Sequence, residues 1–236
     1  MGVFVMFLKS SAFAAIFVVV LALTAFGRDS RVPWKMTVIV MDGADQQEKA
    51  EVPVSEAVSF IEEHSKFSID VDYVTGSVWH DLTPYKQGID YDGDGAGDET
   101  AYAMMGWNMP DQLLQSLPVS TSYLFLYSLY GNRPAQAGSA LGLDFGLKIG
   151  GKARPYATVP TDQWWYINSP KDGFKNWAAQ ILTHEIINTI QAKVEAPPHN
   201  CGQLTATHGT RADKYEAERL SKITDACYDS LRDDTD

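Results

Sequence analysis

His184, Glu185 and Asn188 are the residues whose types and spacing could do chemistry. On an α-helix, positions i and i+4 share a face. An imidazole at 184 and a carboxamide oxygen at 188 could therefore meet one metal ion, while the neighbouring carboxylate takes a proton from metal-bound water. Asn is a poorer zinc ligand than a second imidazole would be, because its amide oxygen is neutral. The plainer reading is that His-Glu belongs to the polar face of an amphipathic helix.

The element that must position them spans residues 176–196, NWAAQILTHEIINTIQAKVEA. At 100° per residue Leu182, Ile186, Ile187 and Ile190 fall on one arc, and His184, Glu185, Asn188 and Gln191 on the other, which predicts a helix with one buried side. Ahead of it the pattern alternates between strand and helix. Residues 34–41 form a short β-branched run, which predicts a strand. Residues 55–65 carry Ala57, Val58, Phe60 and Ile61 at helical spacing, and residues 67–74 alternate with period two. A short helix is expected at 110–117, with Pro at its first position, and an aromatic strand at 122–130. Gly150-Gly151 should turn a hairpin or edge strand within 142–159, and residues 163–168, QWWYIN, read as one more strand. A C-terminal helix follows the His-Glu helix.

Between the second strand and the short helix, Asp90, Asp92 and Asp94 alternate before Gly95, with Ala96 and Asp98 following. Carboxylates this close repel one another unless a cation neutralises them. The run resembles the first part of an EF-hand or dockerin-type calcium loop. The resemblance implies a structural calcium ion held by Asp90, Asp92, Asp94, the Ala96 carbonyl and Asp98. The twelfth position is Ala101 rather than Glu, so Glu99 would have to substitute in a shortened loop; the alternative is a solvated acidic turn.

HEIIN at 184–188 and the order of elements around it resemble the catalytic domain of the zincin metallopeptidases, which carry an HExxH helix. The resemblance implies an α+β fold in which a mixed twisted β-sheet is served by a backing helix, an active-site helix and a C-terminal helix. It also implies zinc-dependent hydrolysis of a peptide or protein substrate, with zinc on His184 and Asn188, Glu185 as general base and Tyr215 steadying the oxyanion. The third ligand is open. The metzincin positions fall on Gln191 and Val194 and fail. Glu216 or Glu218 would serve in the gluzincin pattern, and Asp213 in a loose version of the aspzincin pattern. His199 and His208 are softer donors that could replace the missing imidazole. A catalytically inactive zincin-like domain, or a calcium-stabilised extracellular binding module, is the competing expectation.

The chain has 236 residues, 45% hydrophobic and 11% aromatic, enough to build one well-packed core. Residues 1–27 read as a signal peptide or signal anchor, because the run 10–27 carries no charge and is flanked by Lys9 and Arg28. That leaves residues 28–236 as a single exported domain, with the calcium-like insertion at 90–99. A membrane anchor through residues 10–27 is the alternative to secretion. A formal net charge of −11 with scattered Lys and Arg argues against nucleic acid as a partner. Cys201 and Cys227, the only cysteines, are expected to pair in an exported protein.

Overall fold

The computed structural model describes residues 31–41, 44–75, 109–127, 139–161, 177–199, 201, 204 and 212–233. Residues 1–27, expected as a signal peptide or signal anchor, the acidic run 90–99, the strand expected at 163–168 and His208 lie outside these residues. Val32–Asp236 forms one compact unit. Among the described residues no helix is long and apolar enough to cross a membrane.

A five-stranded sheet holds the unit together, in the order β2-β1-β3-β7-β4. Its strands are β1 (Val32–Val40), β2 (Phe67–Val74), β3 (Ser122–Tyr127), β4 (Ser139–Leu141) and β7 (Tyr156–Pro160). The first four in spatial order run parallel: Val32 pairs with Phe67, Met36 with Ser122 and Tyr123 with Tyr156. Only β4 is antiparallel, with Ala140 opposite Ala157. β3 and the second half of β1, from Met36, are buried on both faces, which is why these stretches are near-continuous apolar runs rather than alternations.

One face of the sheet presents Val32, Trp34, Met36, Val38, Leu124, Leu126 and Val159 to the helices. These are α1 (Ala44–Glu63), α3 (Trp177–Glu195), α4 (Ala212–Ser221) and α5 (Asp225–Asp233). The other face presents Ile39, Met41, Tyr123, Phe125 and Tyr156. It is covered by the short helix α2 (Asp111–Leu114) and by a separate hairpin of β5 (Leu147–Ile149) and β6 (Lys152–Arg154). Gly150 and Gly151 make the hairpin turn with φ of 61° and 76°, the left-handed region that glycine enters without a Cβ clash. The expected hairpin is therefore present, but it packs on the sheet's face, and the sheet's own edges are β2 and β4.

Helix α1 begins eleven residues earlier than its spacing at Ser55 suggested and contains Pro53. Ala50, Val54, Ala57, Val58 and Ile61 form one buried stripe at i, i+4, i+7, i+8 and i+11, so burial carries the helix through the proline. The C-terminal helix is two helices, broken between Ser221 and Asp225. At the break Thr224 accepts the Cys227 and Tyr228 backbone N–H groups at 3.0 and 3.1 Å through its carbonyl, a local start for α5. Cys201 and Cys227 form a disulfide that joins the segment after α3 to α5.

Candidate functional site

Helix α3 runs where its periodicity places it, and its apolar arc is fully interior: Leu182, Ile186, Ile187 and Ile190 are all buried. The polar arc is not turned to solvent. It faces α4, and the two helices share a connected polar network. His184 Nδ1 lies 2.6 Å from Glu216 Oε1. The other Glu216 oxygen accepts from Arg219 Nη1 at 2.8 Å. Arg219 Nη2 donates to Asn188 Oδ1 at 2.7 Å and to Gln191 Oε1 at 2.6 Å, and its Nε donates to the Leu204 carbonyl at 3.3 Å. Asn188 Nδ2 closes the network on Glu185 Oε2 at 3.3 Å.

The centre of this cluster is a cation supplied by the protein itself. Arg219 is 0% exposed and Glu216 1%. A charge removed from water is tolerated only when its hydrogen bonds are satisfied, and Arg219 has four acceptors arranged around its planar donor fork. Positions 188 and 191 are one turn apart, so their amide oxygens stand side by side for Nη2 to bridge. Sequence reasoning passed over Arg219. Its signal was the i, i+3 spacing of Glu216 and Arg219 in KYEAER, which reads equally as a solvated helical pair.

The electrostatics follow from burial. Burial pushes the Glu185 carboxyl up to about 7, against the opposing pull of His184 and of the Asn188 amide, while Glu216 adds to the rise. For His184, which keeps a quarter of its side chain exposed, burial works against the charged form. The hydrogen bond and charge of Glu216, followed by the charge of Glu185, outweigh it and hold the imidazole above its ordinary value.

Of the expected zinc residues, His184 and Asn188 do share a helix face, and Glu216 reaches His184. The donor set does not fit a zinc ion. Asn188 would have to bind through Oδ1, the atom that already accepts from the Arg219 guanidinium, and a dication placed there would sit against a buried positive charge. Glu216 is divided between His184 and Arg219. Among the described residues no group of three His, Cys, Asp or Glu side chains is arranged to hold a metal ion. His199 lies beyond the end of α3 with Nδ1 2.9 Å from Ser230 Oγ, and eleven residues of helix put Glu195 roughly 16 Å from His184 along the axis. Asp213 is in the first turn of α4, and Glu218 is exposed on that helix. Tyr215, the candidate for steadying an oxyanion, has the Arg219 guanidinium 5.9 Å from its ring centroid, a cation–π contact. Comparison with protein-family models, with curated proteins and with solved structures gives no match to this chain.

Proposed function

We propose that this chain is an exported, non-catalytic binding module in which the His-Glu helix serves the fold. The observation that carries the reading is Arg219, buried among Asn188, Gln191 and Glu216, where its guanidinium occupies the acceptors that a metal would need. A zincin-like layout is part of the proposal, supported by the packing of α3 against β7 and the antiparallel edge strand β4. Export rests on the apolar run 10–27 and agrees with the Cys201–Cys227 disulfide. A calcium ion on Asp90, Asp92, Asp94, Ala96 and Asp98 is part of the same proposal, as a structural ion.

The zinc peptidase reading keeps one observation in its favour: a carboxyl at about 7 beside an imidazole is tuned for proton transfer at neutral pH. Metal analysis after dialysis, together with peptide-library hydrolysis by the native chain and by Glu185→Gln, separates the two. The module retains no stoichiometric zinc, and neither protein cleaves. Tightly held zinc with cleavage lost in Glu185→Gln overturns the proposal. Chelation of calcium is expected to lower the melting temperature, and an unchanged melt removes the calcium from the reading.

A further inference from the structure

We propose that a cavity at the amino-terminal end of the sheet binds a small amphipathic carboxylate. The cavity is a cleft open to solvent on one side, with a volume of about 510 Å3, within the roughly 300–1,000 Å3 usual for small-molecule sites. It shares no residue with the α3–α4 network, so it stands apart from the reading of that network.

Three cations from separate parts of the chain converge on it: Lys35 of β1, Lys193 at the end of α3 and Arg232 at the end of α5. The chain has only 19 Lys and Arg against 30 Asp and Glu, so this grouping runs against its overall charge. The hydroxyls of Ser68 and Thr121 line the same space, and Thr121 fixes the Lys35 backbone by exchanging hydrogen bonds with it at 2.8 and 3.4 Å. Pro33 and the Lys and Arg stems supply most of the apolar lining, with only the edges of the buried Val32, Trp34 and Leu231 reaching it. An apolar wall beneath a cationic rim suits a ligand with a hydrocarbon or aromatic body and one carboxylate head.

The opposing charges define the test. Asp70 is the one carboxylate among the described residues of the lining. Outside the lining, Asp72 lies 3.0 Å from Lys35, and Asp229 2.7 Å from Arg232. Both of these pairs are substantially exposed and therefore weak, so a ligand carboxylate can take over their cations. Removing Asp70 or Asp72 should tighten ligand binding, whereas a merely structural role for these residues predicts no gain.

The probe is octanoate, titrated calorimetrically into the full chain, with octanol and inorganic phosphate alongside. Octanoate should bind more than about tenfold tighter than either, and weaken about threefold or more between 50 and 300 mM salt. Lys193→Met with Arg232→Met should weaken it about tenfold, and Asp70→Asn or Asp72→Asn should tighten it about two- to fivefold. Arg232→Lys keeps the charge and should stay within about threefold of the native affinity, which keeps the test decisive if the double variant fails to fold. Failure of octanoate to bind overturns the proposal. So does octanol or phosphate binding as well as octanoate, or an Asp70→Asn affinity that does not rise.

Discussion

A guanidinium with no contact to water keeps its place only while its acceptors hold it, and this makes Arg219 the most consequential side chain of the α3–α4 cluster. Arg219→Met should destabilise the protein by about 3–5 kcal/mol, because Glu216 would lose its permanent cation and keep only His184, while the Asn188, Gln191 and Leu204 oxygens would lose their donor. Arg219→Lys should recover little, since one ammonium cannot span Leu204, Asn188, Gln191 and Glu216. Urea unfolding of both variants measures this, and a loss under about 1 kcal/mol for Arg219→Met would contradict it. Glu185 gives a second prediction, in pH. Its carboxyl rises on folding from an ordinary 4.5 to about 7, and His184 also rises, so the folded state holds more protons than the unfolded one. Stability from these groups is complete below the unfolded values and is lost as pH climbs. For Glu185 the window is 4.5 to about 7, worth on the order of 3 kcal/mol. Glu185→Gln should flatten that slope and be the more stable form at pH 8; an equal slope in both proteins would refute the assignment. The sequence did show that His184, Glu185, Asn188 and Gln191 share an arc. It could not show that another helix covers that arc, because the packing of α4 on α3 is a long-range choice that no local spacing encodes.

At the scale of elements, legibility follows the strength of the local pattern. Helix α3, strands β1 to β3 and the Gly150-Gly151 hairpin were each readable from apolar period or turn chemistry. The early start of α1 was not, because Pro53 reads locally as a stop and only the buried stripe from Ala50 to Ile61 overrides it. The hairpin allows a graded prediction from two of its glycines. A Cβ at Gly146 would sit 2.7 Å from the Arg154 carbonyl oxygen and 3.0 Å from the Arg154 nitrogen, all rigid backbone. A Cβ at Gly151 meets nothing within 4 Å and faces only the strain of φ 76°. Gly146→Ala should therefore cost about 1–3 kcal/mol by overpacking, and Gly151→Ala about 1 kcal/mol. Thermal melts of the pair give the order, and Gly151→Ala proving the worse would show that the start of β5 can shift away from β6.

Across the whole molecule the sheet joins distant parts of the chain. Interior strand β1 takes partners 35 residues away in β2 and 86 away in β3. That parallel order was beyond local reading, since spacing identifies strands but not their neighbours. Helix α5, the last of the described elements, is tied to β1 and β2. Trp34 of β1 packs edge-on against Phe67 at 5.3 Å, Phe67 packs edge-on against Tyr228 at 5.2 Å, and Lys66 meets Asp225 at 2.6 Å. Cys227 adds the disulfide, worth about 3 kcal/mol for a loop of this length. Such coupling predicts that α5 opens only with the sheet. Its core-facing amides should exchange hydrogen at the same limiting rate as those of β1, and Phe67→Ala should lower both protections by the same 3–5 kcal/mol or so. Reduction of the disulfide should lower them together by about 3 kcal/mol without separating them, because the aromatic contacts remain. Exchange of α5 ahead of β1 with the disulfide intact would mean that the covalent link, and not the packing of Tyr228 on Phe67, holds the C-terminus to the sheet.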